Sequence, residues 1–177
     1  MKRRGIVTLA FVCVLGALSA FLVIAADAPP AAAPAATAPA APVSLGSPDT
    51  AKWTETTTKA AATDAQKAVL AGGKVTTITG ELVEVSCYLQ LGKKGEAHIP
   101  CGSDCIRHGQ PAGILDAAGK LTVLFVEEHD PRRKGEIDVK DKLASLVAKQ
   151  VTATGMLTQK DGYAALYVQG GEIAASK

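Results

Sequence analysis

The order of β-rich and helical segments in residues 74–173 restricts the folds open to this chain. Three segments dominated by β-branched and apolar residues come first, and they begin at Lys74, Ala112 and Leu121. Residues 136–150 then place apolar side chains at helical spacing, and two further β-rich segments follow. The sequence therefore predicts a mainly β domain with the order strand, strand, strand, helix, strand, strand.

Turn signals and side-chain alternation define the ends of several strands. A turn is expected at Ala118-Gly119, and the Asp-Gly pair in Lys160-Asp161-Gly162 is typical of a tight hairpin. At the end of the first segment, Val83, Val85 and Cys87 alternate with polar neighbours and would share one face of a strand. We therefore expect the first strand to run as far as Cys87.

A helix between the third and fourth of five strands is the layout of the OB-fold, a small Greek-key barrel. The segments "VTTITGELVEV" and "VTATGMLTQ" each start with Val-Thr and run into a glycine, and they resemble the first and fourth strands of small exported bacterial OB-fold domains. The resemblance implies a five-stranded OB-like barrel over residues 74–173. This chain departs from the plain module through an insert at residues 87–113, after strand 1. The resemblance implies no activity, because one fold hosts many functions.

The N-terminal 26 residues have the composition of a secretory signal. Lys2, Arg3 and Arg4 precede an uncharged apolar run, residues 5–26, that ends in small residues. At roughly 20 residues this run is also long enough to serve as an uncleaved membrane anchor. We expect an exported protein, periplasmic or extracellular, that is tethered to the membrane by residues 5–26 if the leader is not cleaved.

Two segments separate the leader from the predicted barrel. Residues 27–46 are rich in Ala and Pro and lack the side chains needed for a core, which predicts a disordered spacer. Residues 47–73 contain helix-capping residues, many alanines and a stop at Gly72-Gly73. We expect a short helical or disordered lead-in, with Trp53 as the one residue large enough to dock it.

The charge balance argues against nucleic acid as a partner. Without the three basic residues of the leader, Lys and Arg fall one short of the 17 Asp and Glu, and aromatic residues make up only 4% of the chain. Neither a basic surface nor a base-stacking platform is therefore expected. Contact with a membrane is expected only through an uncleaved N-terminal segment, and a partner in the cell envelope is left open.

The insert contains most of the residues that could bind a metal or react as thiols. All three cysteines outside the leader and two of the three histidines lie in it or at its start. Pro100 and Gly109 suit the two ends of a helix of about two turns. Within that helix Cys101, Cys105 and His108 stand at i, i+4 and i+7, so they would align on one stripe.

These spacings predict a metal site with a closed set of four ligands. The expected ligands are Cys87, Cys101, Cys105 and His108, with His98 as the substitute fourth ligand. Three thiolates and one imidazole suit a structural zinc site and are acceptable to Cu(I). The expected function is therefore metal binding by an exported OB-like domain, in a structural or a carrier role.

The alternative is a disulfide with no metal. Exported cysteines tend to oxidise, and a bond from Cys87 to Cys101 or Cys105 would staple the insert with about 3 kcal/mol of stabilisation. One thiol would remain unpaired, which needs its own explanation. On this interpretation the domain is a binding module for an envelope partner.

An enzyme is not expected. The cysteines do not form the C-x-x-C pair typical of thiol oxidoreductases, although thiol redox catalysis stays open as a third interpretation. No serine lies in a Gly-x-Ser-x-Gly setting, so the sequence shows no hydrolase signature.

Overall fold

The computed structural model describes residues 41–128 and 137–177. The predicted leader, residues 1–26, and most of the predicted spacer lie outside these described residues. Within the described parts the elements are, in chain order, β1 (Val43–Leu45), α1 (Glu55–Ala60), α2 (Asp64–Ala71), β2 (Lys74–Glu84), α3 (Val85–Leu91), a 3₁₀ turn (Glu96–His98), α4 (Ile99–Arg107), β3 (Ala112–Leu115), β4 (Leu121–Val126), α5 (Lys140–Ala144), β5 (Gln150–Lys160), β6 (Tyr163–Val168) and α6 (Gly170–Ala175). No helix of the described residues is long and apolar enough to cross a membrane.

Strands β2 to β6 form a closed five-stranded barrel. β2 pairs antiparallel with both β3 and β5, and β3 pairs antiparallel with β4. β6 closes the barrel, because it pairs parallel with β4 and antiparallel with β5. This arrangement confirms the predicted mainly β, OB-like Greek-key barrel.

The barrel interior and the neighbouring α5 share one apolar core. Its members are Leu45, Leu82, Ile106, Ala112, Ile114, Leu124, Val139, Leu143, Ala144, Leu146, Val147, Val151, Ala153, Leu166, Val168 and Ile173. Because Ile106 lies on α4, the helix of the insert is anchored in the same core as the barrel.

The turns between strands agree with their sequence signals. Asp161 (φ 52°) and Gly162 (φ 85°) both adopt positive φ between β5 and β6, as the tightest hairpins require. Between β3 and β4, the Asp116 carboxylate accepts hydrogen bonds from the N–H groups of Ala118 and Lys120, and Gly119 has a φ of 80°.

The predicted helix between the third and fourth barrel strands is shorter than its apolar pattern. α5 covers Lys140–Ala144, and the chain then turns and enters a left-handed conformation at Ala148 (φ 64°) before β5. Leu146 and Val147 of the pattern are nonetheless buried. The apolar periodicity therefore identified the buried residues correctly. The helix is shorter than the segment that carries the pattern, residues 136–150.

The ordered domain begins before the predicted boundary at residue 74. Val43–Leu45 pairs in parallel with β5, and Leu45 is 0% exposed in the core. The prediction of a disordered spacer to residue 46 therefore needs correction at its C-terminal end. These residues are ordered because β5 provides a strand edge and the barrel provides an apolar site for Leu45.

The lead-in forms two short helices that are attached to the barrel. Thr54 caps α1, and its backbone N–H donates to the buried Glu127 carboxylate at 3.1 Å. Trp53 donates its indole N–H to the carbonyl of Leu70 at 2.9 Å and contacts Tyr167 edge-on, with ring centroids 5.5 Å apart. Trp53 thus docks this segment, as the sequence suggested.

Strand β2 ends at Glu84, three residues earlier than expected. The Glu84 carboxylate accepts hydrogen bonds from the N–H groups of Ser86 (2.7 Å) and Cys87 (2.8 Å), which caps α3. Val85 and Cys87 therefore lie on a helix and not on one face of a strand. The connection that carries the cysteines and histidines runs from α3 to the start of β3 at Ala112, close to the predicted insert of residues 87–113.

Candidate metal centre

Three cysteine side chains meet where α3 and α4 come together. The sulfur atoms of Cys87, Cys101 and Cys105 all lie within 4.8 Å of one another, and we call these three residues the thiol cluster. All three are free thiols; Cys101 is exposed, whereas Cys87 and Cys105 are half-buried. Residues that are 14 and 18 positions apart from Cys87 are thus brought together by the fold.

Helix α4 holds its two cysteines in place because its opposite face is buried. Pro100 lies in the first turn, as predicted, and Gly109 follows the helix with a φ of 98°. The Ser103 hydroxyl donates to the carbonyl of Ala144 on α5 at 2.7 Å, and Ile106 enters the barrel core. The helix is therefore fixed against α5.

His98 is the histidine that the structure brings to the thiol cluster. Its ring nitrogen lies within 4.8 Å of the Cys87 sulfur and of a Glu84 carboxylate oxygen. The side chain is only 4% exposed, and among the described residues its Nε2 atom has no hydrogen-bond partner. The ring packs over Gly102, where a Cβ atom would lie 3.2 Å from Nε2.

His108 lies away from this arrangement. It caps the end of α4, its side chain is 78% exposed, and Nδ1 is 2.9 Å from the carbonyl oxygen of Asp104. Neither group of potential metal donors in the described residues includes it. The sequence ranked His108 ahead of His98 as the fourth ligand, and the structure places them in the opposite order of proximity.

Glu84 is a member of the site that sequence reasoning missed. It is 0% exposed, and it adjoins both Cys87 and His98. The sequence pattern predicted a strand through Cys87, which would place Glu84 on the opposite face from that cysteine. Glu84 could have been assigned to the site only if it had been recognised as the N-cap of a helix. Glutamate is not among the preferred N-cap residues, so that signal is weak.

The carboxylate and the thiols influence one another's protonation. Burial alone would raise the pKa of Glu84, but hydrogen bonds from Cys87 and Ser86 outweigh it and hold that pKa below its usual value. The hydrogen bond to Glu84, together with burial and nearby negative charge, raises the pKa of the Cys87 thiol to about 12. Burial raises the pKa of Cys105 as well. A bound cation must therefore displace these protons.

The donor set fits a thiophilic ion. Zinc–sulfur bonds of about 2.3 Å in a tetrahedral site place neighbouring sulfur atoms roughly 3.8 Å apart. The observed separations are all within 4.8 Å, so they exceed that spacing by about 1 Å at most. The same proximity also allows two of the three thiols to form a disulfide, so the sulfur positions alone do not decide between the two interpretations.

Comparisons with known proteins add no assignment to this site. No family model, no curated protein and no solved structure matches the chain.

Proposed function

We propose that this protein is an exported, non-catalytic OB-like domain that binds Zn²⁺ or Cu(I). The ligands are the thiol cluster and His98, in place of the predicted His108. One observation carries the proposal: three thiols lie within 4.8 Å of one another beside a buried imidazole whose Nε2 has no partner in the described chain. Export is supported by the composition of residues 1–26.

The unpartnered nitrogen of His98 favours an ion over simple packing. A buried polar atom without a hydrogen bond costs about 1–3 kcal/mol, and such atoms are few in folded proteins. Coordination would satisfy this atom, and thiolates with imidazole are the donors preferred by zinc and accepted by Cu(I). A hydrophobic role for the ring would leave the cost uncompensated.

The exposure of Cys101 supports a carrier role over a closed structural site. Structural zinc sites are closed by four protein ligands, whereas here Cys101 is exposed and Cys87 and Cys105 are half-buried. A second protein that presents a thiol could reach the ion through Cys101. Exchange of a metal ion between soft donors requires this access.

The test is the metal content of the reduced protein and of single-residue variants. Protein loaded with Zn²⁺ or Cu(I) under anaerobic, reducing conditions is desalted and analysed by mass spectrometry for metal. Replacing any member of the thiol cluster by Ser should sharply lower retention, and replacing His98 by Ala should lower it partly. His108→Ala is the matched control and should retain metal as the native chain does.

Two results would overturn the proposal. One is a reduced native protein that retains no metal. The other is a single silent Cys→Ser variant, combined with a disulfide between the other two cysteines in the intact mass. That second pattern would identify a disulfide staple.

A separate cavity supports the second candidate function, a disulfide-stapled binding module. It has a volume of about 1070 Å³, and its wall includes Trp53, Phe125 and Tyr167. Phe125 and Tyr167 stack with centroids 5.6 Å apart, and Phe125 is 43% exposed. Because Trp53 is the only tryptophan of the chain, its fluorescence reports on this cavity. Apolar peptides that change this fluorescence in the oxidised protein, together with a reduced protein that retains no metal, would favour the binding module.

A further inference from the structure

Cys87 belongs to two separate groups of potential metal donors. One is the thiol cluster, and the other consists of Glu84, Cys87 and His98. Within each group all donor atoms lie within 4.8 Å of one another, and the two groups share only Cys87. A single tetrahedral ion uses four donors, so it would leave one of these five residues outside its coordination sphere.

We propose that the centre holds two ions, with the Cys87 sulfur as a bridge between them. This inference rests on the proposed function, because it requires the thiol cluster to bind metal. The outer ion is held by the thiol cluster. The inner ion is held by Cys87, His98 and Glu84, and this mixture of sulfur, nitrogen and oxygen donors suits a borderline divalent ion such as Zn²⁺.

The charge of the buried groups supports a second cation. Glu84 is 0% exposed, and no Lys, Arg or His of the described residues forms an ion pair with it. Burial of a charge without a counter-charge is strongly unfavourable. A cation bound by the inner group would supply the counter-charge that the Glu84 carboxylate lacks.

The inner group keeps lone pairs that can bind an ion. The Glu84 carboxylate accepts two backbone N–H groups, at 2.7 Å and 2.8 Å, and the Cys87 thiol. A carboxylate has about four lone-pair sites, so one remains. The Nε2 atom of His98 is buried and has no partner among the described residues. Capping of α3 by Glu84 and coordination of an ion are therefore compatible.

Occupancy would then proceed in two steps. With one ion bound, His98 can complete the four-ligand set with the three thiolates. With a second ion bound, His98 and Glu84 serve the inner position, and solvent completes the outer one beside the exposed Cys101.

Native mass spectrometry of the reduced full chain during titration with Zn²⁺ tests the inference. We expect two ions per native chain, and one ion per chain for Glu84→Gln and for His98→Ala. The matched control His108→Ala should still bind two. A native chain that saturates with one ion would overturn the second position and leave the proposed function intact, whereas a chain that binds none would overturn the proposed function.

Two further readouts separate coordination from a purely structural effect. Circular dichroism establishes that each variant is folded; if Glu84→Gln is not, His98→Ala decides, and two ions in that variant would overturn the inference. Co²⁺ loading provides a spectroscopic signature, because two Co²⁺ ions joined by a thiolate couple magnetically. The electron paramagnetic resonance signal should fall as the second equivalent binds, and a signal that simply doubles would refute the bridge.

Discussion

Replacement of Leu45 by Ala tests whether the chain before residue 74 belongs to the folded domain. Leu45 is completely buried in the barrel core, although it lies in a segment that looks like spacer. It is held there by strand β1, which pairs with β5 over three residue positions, opposite Val151, Thr152 and Ala153. The substitution leaves the pairing of backbone groups intact and removes only the buried side chain.

The expected loss of stability is about 3 kcal/mol. Leu→Ala removes three buried carbon groups at about 0.8 kcal/mol each, which gives roughly 2.4 kcal/mol. The cavity left behind raises the measured cost of such changes to about 2.7–5 kcal/mol. The lower part of that range applies because β1 is a short edge strand that can partly relax. Against a typical total of about 5–15 kcal/mol, this is a large fraction of the free energy of unfolding.

Urea denaturation followed by circular dichroism measures the effect. Leu89→Ala is the matched control, because Leu89 is 68% exposed on α3 and its loss should change stability by less than about 0.5 kcal/mol. If Leu45→Ala is no more destabilising than Leu89→Ala, β1 is not part of the core. The original prediction of a spacer to residue 46 would then stand.

Three further predictions address the hairpin, the helix cap and the thiols. Gly162→Val should lower the free energy of unfolding by about 1 kcal/mol or more, because Gly162 has a φ of 85°. Asp161→Gly is the control: Asp161 also has a positive φ, so this variant should be tolerated in the same thermal melt. Glu84→Ala should cost about 0.5–2 kcal/mol in urea denaturation through loss of the α3 cap; unchanged stability would contradict the cap. Because their pKa values are raised, Cys87 and Cys105 hold their protons more tightly than ordinary thiols, so metal binding should release protons and strengthen as pH rises. Calorimetry in buffers of different ionisation enthalpy measures that release, and an affinity independent of pH would refute it.

The barrel was predictable because its signals are local. Side-chain periodicity, the Asp-Gly turn at Asp161-Gly162 and the helix limits at Pro100 and Gly109 depend on a few neighbouring residues. Strand β1 was not predictable in this way. Three residues without a strong pattern form a strand only because β5, more than 100 residues later, offers an edge.

The candidate metal centre shows how much of a site can be predicted from the spacing of residues in the sequence. The i, i+4 spacing placed Cys101 and Cys105 correctly on one helix. The same rule favoured His108, but α4 ends at Arg107 and His108 turns to the carbonyl of Asp104. His98 comes close through the path of the 3₁₀ turn, which no spacing rule describes.

The helical position of Cys87 was missed for a related reason. Val85 is β-branched and continues the alternation of β2, so local propensity favoured a strand. The Glu84 carboxylate accepts hydrogen bonds from the N–H groups of Ser86 and Cys87, and this cap stabilises a helix at Val85 instead. The cap outweighs the local strand propensity, and it is hard to predict because glutamate is not a preferred N-cap residue.

X-ray absorption spectroscopy of the reduced, metal-loaded protein tests the central claim most directly, because it reports the atoms bound to the ion. If the thiol cluster coordinates Zn²⁺, the first shell will be dominated by sulfur at about 2.3 Å, with a nitrogen at about 2.0–2.1 Å. A first shell of oxygen and nitrogen alone would show that the ion is bound elsewhere. That result would contradict a metal centre built on Cys87, Cys101 and Cys105.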